Sequence, residues 1–133
     1  MSTTRHSAFK PLTWPQAERE LSRSLGGYLS TAQKAVMCGD EIPFLINGAT
    51  ILLRPEHTEL VVVGYTGKHT LAQNAPLIHD LAKDIGAQSI RIHTQRKGEL
   101  RFLERLGLGF YLLEQREHEF VLRCNIERLT HGR

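Results

Sequence analysis

The chain of 133 residues has little cysteine and no long hydrophobic run. Its two cysteines, Cys38 and Cys124, lie far apart and match no metal-ligand spacing, so we predict that both are small buried apolar residues in a reducing compartment. No apolar run approaches the roughly 20 residues that a membrane-spanning helix requires. Residues 1–10 lack the apolar core of a signal peptide. The sequence therefore predicts a soluble protein that makes no membrane contact and resides in the cytoplasm.

Charge of one sign and aromatic side chains are also scarce. Aromatic residues make up 7% of the chain. The formal net charge of +3 is compatible with a phosphate-bearing partner but does not require one. The hydrophobic fraction of 41% is ordinary for a globular protein. A chain of this length buries roughly two thirds of its unfolded surface. We predict one domain over residues 13–126, with a flexible arm or an irregular first strand over 1–12 and a polar tail over 127–133.

Two helices are predicted before residue 40. Thr13 and Gln16 can form a capping box, and apolar residues then recur at helical spacing until Gly26. A second helix is predicted from about Tyr28 to Cys38. The apolar side of this second helix comprises Leu29, Ala32, Ala35 and Val36. Both helices need a sheet to pack on.

A three-stranded meander is predicted next. Asn47 and Gly48 lie between two apolar runs and supply the positive φ angles of a type I′ hairpin turn. Residues 54–57 are predicted to make the second turn, and residues 59–65 return as the third strand. The continuous apolar run Leu60–Val63 suits a central strand that is covered on both faces.

The start of the following helix has two interpretations. Thr70 with Gln73 could form a capping box, but Pro76 would then fall inside the helix. Asn74 as the N-cap places Pro76 in the first turn, where a missing N–H is tolerated, and we prefer this start. The helix then closes at Gly86 and buries one stripe of residues, namely Leu77, Ile78, Leu81, Ala82 and Ile85.

A strand, a short helix and a hairpin complete the chain. The strand Ser89–Thr94 alternates, with Ile90 and Ile92 facing one way and Arg91 and His93 facing the other. The polar pair could line a cleft, although an exposed sheet face explains it equally well. The last predicted elements are a helix over 99–106 and hairpin strands over 110–115 and 119–126.

Two helix ends carry a resemblance to a known family. Residues 81–87 read LAKDIGA, and residues 102–107 read FLERLG with Phe110 close behind. Together with the order of elements, these segments resemble the GCN5-related N-acetyltransferase (GNAT) superfamily over about residues 13–126. The resemblance implies an α/β (α+β) fold, in which a mixed, largely antiparallel sheet of six or seven strands contains a central parallel strand pair and carries helices on both faces.

The resemblance also implies a site for acetyl-CoA. In the family, the fourth strand separates from the fifth and its backbone pairs with the pantetheine arm. An Arg/Gln-x-x-Gly-x-Gly/Ala loop holds the pyrophosphate at a helix N-terminus. Counting back from Ala82 places this loop on residues 66–71, where His69 and Leu71 stand in place of the two glycines. Their side chains would occupy the space of the pyrophosphate, and Pro76 would move the helix start about one turn away, so we predict an eroded loop. The implied cofactor-binding residues are Val62, Val63, Gly64, Thr66, Gly67, Lys68, His69, Thr70, Leu71 and Gln95.

The position of the general acid departs from the family as well. Many members have a Tyr in the last helix that protonates the leaving thiolate, whereas Phe102 stands here and cannot donate a proton. Tyr111 is a substitute without positional support. These departures favour a non-catalytic binding or structural module with a protein partner, similar to small phage-encoded relatives, which adds a phage particle as a location. The alternative is an active N-acyltransferase that transfers acetyl from acetyl-CoA to an amine.

Further interpretations stay open. A nucleic-acid-associated role would use a basic cluster, and a homodimer could pair through the closing hairpin. Glu56 and Glu59 could act as a general base for an amine, but the sequence gives them no partner. Four histidines show no recognised ligand spacing, so no metal site is predicted. The basic cluster comprises Arg91, Arg96, Lys97, Arg101 and Arg105, and the histidines are His57, His69, His79 and His93.

Overall fold

The computed structural model describes residues 8–67 and 70–126. In this part of the chain, seven strands form one sheet in the order β1-β2-β3-β4-β5-β7-β6. The strands are β1 (Phe9–Pro11), β2 (Ile42–Ile46), β3 (Ala49–Glu56), β4 (Glu59–Thr66), β5 (Ser89–Thr94), β6 (Phe110–Arg116) and β7 (Glu119–Asn125). Among these strands, β4 and β5 pair in parallel and every other neighbouring pair is antiparallel.

Helices cover both faces of the sheet. They are α1 (Trp14–Leu25), α2 (Leu29–Met37), α3 (Leu71–Asp84) and α4 (Lys97–Arg105), with a 3-10 turn at Gly26–Tyr28 between the first two. Leu21 of α1 and Leu52 of β3 belong to the core on one face, whereas Leu103 of α4, Ile51 and Ile90 belong to the core on the other. Neighbouring residues of a strand point to opposite faces, so Ile51 and Leu52 serve different cores. The predicted fold class is confirmed.

Several local predictions agree with the structure. The backbone of Thr13 donates a hydrogen bond of 2.9 Å to Oε1 of Gln16 at the start of α1. Asn47 and Gly48 have φ angles of 45° and 82°, as a type I′ turn requires. Cys124 is buried, donates its thiol to the Leu108 carbonyl oxygen, and has a pKa raised by burial. No helix in the described ranges is long and apolar enough to cross a membrane.

The predicted start of α3 at Asn74 is wrong. The helix begins at Leu71 after the N-cap Thr70, which places Pro76 inside it. Asn74 is fully buried, and its amide nitrogen donates to the carbonyl oxygen of Ile46 at 3.1 Å. Its amide oxygen accepts a hydrogen bond of 3.0 Å from the side chain of Asn47. Asn74 therefore anchors the helix to the β2–β3 turn instead of capping it, and these tertiary contacts override the local cost of Pro76.

Other boundaries also differ from the predictions. β3 continues through Glu56, because Pro55 and Glu56 still pair with β4, and the turn falls on His57 and Thr58. The last helix begins at Lys97, two residues earlier than predicted, since the backbone N–H of Arg96 bonds to the Thr94 hydroxyl and sets the turn.

Two residues predicted to be buried are exposed, and residues 1–12 contain a short strand, which was one of the two alternatives for that segment. Ile85 lies beyond the last helical residue of α3, outside its buried stripe, and is 52% exposed. Cys38 follows the end of α2 at the surface, so it is not a buried apolar residue. Within the predicted arm, Phe9–Pro11 pair with β2. Residues 1–7 and the predicted tail 127–133 lie outside the described residues.

Candidate functional site

The two parallel strands are paired along only part of their length. The β4–β5 ladder runs from Glu59 opposite Ser89 to Val62 opposite Ile92, and pairing ends there although both strands continue. At the same level β4 carries an extra residue, because Leu53 pairs with Val62 while Leu52 pairs with Gly64. A bulge bends its strand and increases the local twist. β4 and β5 therefore separate beyond this point.

A cavity of about 720 Å³ lies where the strands separate. Its walls come from the ends of β4 and β5, from α1, from the beginnings of α3 and α4, and from the β6–β7 hairpin. Six of the residues implied by the resemblance line it, namely Val62, Val63, Thr66, Gly67, Leu71 and Gln95. The structure thus brings together the strand, the loop and the residue after β5 that sequence reasoning placed at one site.

The remaining implied residues lie elsewhere or outside the described ranges. Gly64 is buried against α1, where an added Cβ would come within 2.9 Å of Leu25 Cδ2. The Thr70 hydroxyl is hydrogen-bonded to the Gly67 carbonyl oxygen at 3.0 Å. Lys68 and His69 belong to the part of the loop that the structure does not describe.

A polar network holds the loop between β4 and α3. The Tyr65 hydroxyl lies 2.5 Å from the Thr70 hydroxyl and accepts a hydrogen bond of 2.9 Å from the Asn74 amide. A Cβ on Gly67 would lie 2.5 Å from Ala49 Cβ and 3.0 Å from its Cα. Gly67 is therefore required for close packing of the loop on β3, whether or not a phosphate approaches it.

Helix α4 presents Glu99 to the cavity, not Phe102. Arg96, Glu99 and Leu103 line the cavity, whereas Phe102 is absent from its lining and is 40% exposed. The buried Thr94 hydroxyl donates a hydrogen bond of 2.6 Å to Oε1 of Glu99. Sequence analysis did not identify Glu99 as a candidate site residue. Its i, i+4 spacing to the buried Leu103 was the available signal.

On the opposite wall, His93 links Arg91 to Glu119 through a hydrogen bond and an ionic contact. The Arg91 Nε donates to His93 Nε2 at 3.1 Å, and His93 Nδ1 lies 3.2 Å from Oε1 of Glu119. Arg91 also pairs with Glu59 at 2.6 Å. His93 lines the cavity, whereas Arg91 does not. Of the two polar residues predicted to line a cleft or an exposed sheet face, only His93 therefore belongs to the cavity wall.

The two carboxylates considered as general bases are held by arginines. Glu59 accepts hydrogen bonds from Arg91 and from Arg123 at 2.9 Å, and Glu56 accepts one of 2.7 Å from Arg54. Burial alone would raise the pKa of Glu56, but the hydrogen bond from Arg54 and the charge of Arg91 outweigh it and lower the pKa. Neither carboxylate lines the cavity.

A second buried polar cluster supports the cavity from the α1 side. Glu41 is 1% exposed, and its Oε2 accepts hydrogen bonds from the Tyr28 hydroxyl at 2.5 Å and from Arg54 at 2.7 Å. Burial and the hydrogen bond to Glu41 raise the pKa of the Tyr28 phenol. Tyr28 and Arg54 both line the cavity, so a fixed phenol and guanidinium form part of its polar wall.

The predicted basic cluster does not form one surface. Arg91 alternates with Ile90 and Ile92, which pack towards α4, so its side chain lies on the opposite face of the sheet from the arginines of α4. Tyr111 is exposed on β6 opposite Arg123 and does not line the cavity. Within the described residues, no group of three or more His, Cys, Asp or Glu side chains could hold a metal ion.

Comparisons with known proteins identify the fold. No family model matches the chain, and no curated protein matches it. An acetyltransferase of Bacillus subtilis, solved in complex with CoA, superimposes with a TM-score of 0.64 at 14% identity, over 90% of this chain and 97% of that one. The ribosomal-protein-S18-alanine N-acetyltransferase of Escherichia coli gives a TM-score of 0.60 at 11% identity, over 94% and 97%.

A probable GNAT-family acetyltransferase of Chromobacterium violaceum gives a TM-score of 0.59 at 12% identity, over 88% of this chain and 86% of that one. These structural similarities extend over nearly the whole of each chain. The sequence identities are too low to assign the activity of any of these enzymes to this chain. The chain has the fold of the GCN5-related N-acetyltransferases.

Proposed function

We propose that this chain binds a CoA thioester in the cavity between β4 and β5 and transfers the acyl group to an amine. The observation that carries the proposal is the end of the β4–β5 ladder at Val62 and Ile92, beyond which a cavity of about 720 Å³ opens. Backbone N–H and C=O groups of a strand without a neighbour need other partners. The pantetheine arm contains amides that suit such an edge.

The start of α3 supports the same ligand. The helix begins at Leu71, directly after the loop, so one of the two reasons for predicting an eroded loop no longer applies. The Thr70 side chain makes no capping hydrogen bond to the helix, and the first backbone N–H groups of a helix are well placed to bind an anion. A pyrophosphate is an anion of this kind. The CoA complex of the similar Bacillus subtilis enzyme makes CoA the first ligand to test.

A non-catalytic binding module is the second candidate function. Its support is that His69 and Leu71 replace the two family glycines, that Leu71 lines the cavity, and that Phe102 lies outside it. A chain with a filled loop and no phenol at the family position would keep the fold without the chemistry. The two candidates differ in whether CoA binds at all.

Calorimetric titration with acetyl-CoA, and separately with CoA, tests the proposal at low salt. We expect a Kd of the order of micromolar, equivalent to about 8 kcal/mol of binding free energy. The variant His69→Gly restores a family glycine and should tighten binding, whereas His79→Ala, at a residue of α3 that does not line the cavity, should leave it unchanged. A screen of primary amines for thiol release follows. No heat and no thermal shift at millimolar ligand would reject the transferase and favour the binding module.

A further inference from the structure

We propose that Glu99 moves the proton in this reaction, taking it from the attacking amine and giving it to the departing thiolate. This inference rests on the proposed acyl transfer. It assigns to a carboxylate both the deprotonation of the amine and the protonation of the thiolate, the second of which a phenol at the position of Phe102 performs in many members of the superfamily.

The position of Glu99 is the first argument. It is half-buried in the first turn of α4 and lines the cavity together with Thr94 and Gln95 at the end of β5. Thr94 is 6% exposed, and its hydroxyl donates to Oε1 of Glu99 at 2.6 Å while accepting the Arg96 N–H at 3.1 Å. These two contacts fix the carboxylate at the open end of β5. Its Oε2 makes no hydrogen bond to any residue that the structure describes.

The contacts of other ionisable groups in the cavity are the second argument. His93 uses both ring nitrogens, on Arg91 and Glu119. The other oxygen of Glu119 accepts from Arg116 at 3.0 Å. Each of these groups would have to break an existing contact before it could take a proton.

The cavity-lining groups on the α1 side are excluded for related reasons. Tyr28 and Arg54 are both bonded to the buried Glu41. Glu20 and Arg23 of α1 are exposed at the rim, where water competes for any proton. Arg96 carries a guanidinium, which does not lose its proton in proteins. Glu99 is therefore the half-buried cavity-lining carboxylate with an oxygen available to a ligand.

The proposed step balances with one carboxylate. A neutral amine attacks the thioester carbonyl carbon, and a C–N bond forms. The carboxylate of Glu99 accepts the proton that the nitrogen must lose. As the C–S bond breaks, the same proton passes from the carboxyl group to the sulfur, so the products are an amide and a thiol and Glu99 returns to its ionised form. No second general acid is required.

The variant Glu99→Gln is the decisive test. Its amide oxygen can still accept the Thr94 hydroxyl, but it cannot accept a proton. Proton transfer by a positioned side chain contributes about 10²–10⁴-fold, so we expect kcat to fall by at least about 10²-fold. The Kd for acetyl-CoA should change less than about threefold, because no group that holds the ligand is removed. The pH dependence of kcat on its acidic side should disappear.

Two matched variants separate catalysis from structure. Glu99→Asp keeps an ionisable group and should recover part of the activity and the acidic limb of the pH profile. Glu104→Gln removes a charge from the exposed face of the same helix and should leave kcat unchanged. A kcat for Glu99→Gln equal to that of the parent, with acetyl-CoA bound, overturns the role of Glu99 and leaves the transferase intact.

A second readout needs no turnover. The pKa of the thiol of bound CoA can be followed by the ultraviolet absorbance of the thiolate. A carboxylate beside the sulfur disfavours the thiolate, so this pKa should be higher in the parent than in Glu99→Gln. Equal values overturn the placement of Glu99 beside the sulfur. Failure of both CoA and acetyl-CoA to bind the parent overturns the proposed function, and this inference with it.

Discussion

The two halves of the β4–β5 pair differ although they belong to the same strands. In the paired half, Leu60 and Ile90 lie opposite each other and are almost wholly buried against α3 and α4. In the open half, Val63 bulges from β4 and the strands no longer share hydrogen bonds. The paired half thus holds the core, and the open half leaves a cavity.

The difference lies in how each half satisfies its backbone and side chains. In the paired half, the strand ladder provides hydrogen-bond partners for the polar backbone groups, and the core buries the apolar side chains. The open half is held from outside the strand pair, by Gly67 against Ala49 and by the Tyr65–Thr70–Asn74 network. A ligand can complete the open half without unfolding anything. Four substitutions test this contrast.

The largest effect should come from Ile90→Ala in the paired half. Ile90 is fully buried, and truncation of such a residue costs roughly 2–5 kcal/mol of unfolding free energy through lost transfer energy and the cavity left behind. Urea denaturation measures this change. Ile85→Ala, at a site that is 52% exposed, should cost less than about 0.5 kcal/mol. Equal unfolding midpoints for the two variants would show that the paired half is not the core.

Gly67→Ala should have the next largest effect and act on the open half. The new Cβ would meet Ala49 Cβ at 2.5 Å and its Cα at 3.0 Å, and backbone atoms cannot move aside cheaply. Overpacking of this kind costs about 1–3 kcal/mol, and we expect the upper part of that range. Gly64→Ala meets the flexible end of Leu25 at 2.9 Å and should cost less. Thermal unfolding of both variants gives the order, and the reverse order would contradict the close packing on Ala49.

Asn74→Ala should loosen the open half without touching the ladder. The substitution removes the partner of Ile46, Asn47 and Tyr65 at a fully buried site, and an unsatisfied buried polar group costs about 1–3 kcal/mol. Hydrogen exchange should show faster opening at residues 65–67 and 70–74 than at residues 89–92. Gln73→Ala, one residue earlier on the exposed side of α3, is the control and should change neither. Uniform acceleration over both segments would mean that the two halves open together.

Glu56→Gln should have the smallest effect, on the polar side of the paired half. The pKa of Glu56 is lowered below 4.5 in the folded protein, so its ionised form stabilises the fold near neutral pH. This contribution is lost as the pH falls through the folded pKa. Because the side chain is 40% exposed, we expect no more than about 0.5 kcal/mol. The difference between parent and variant in urea should shrink below about pH 4.5 and should not grow there.

Sequence reasoning succeeded where local pattern and packing agree. The alternation of Ser89–Thr94, the Asn47-Gly48 turn and the apolar run of β4 each predicted the observed element, because period and turn chemistry are local properties. It failed at Asn74, Ile85 and Cys38. In each case the outcome depends on which other segment lies beside the residue, and periodicity carries no such information.

The candidate site divides in the same way. The resemblance located the loop over residues 66–71 and the end of β5, and six of the implied residues do line one cavity. The resemblance also pointed to Phe102 as the position of the general acid, but Phe102 lies outside the cavity. Glu99, about one turn earlier on the same helix, lines the cavity and was not predicted. A short helix can turn either side chain inwards, and the contacts of Leu100 and Leu103 with the core decide which.

The sequence by itself determined the order of elements, the hairpin turn and the apolar strands of the core. These follow from side-chain period and backbone preference, which act over a few residues. Only the tertiary structure decided that the separation of β4 and β5 begins beyond Val62, that Pro76 lies inside a helix, and that Glu99 faces the cavity. Each of these depends on contacts between segments that are distant in the chain, such as Asn47 with Asn74, and such contacts form only when the whole sheet is assembled.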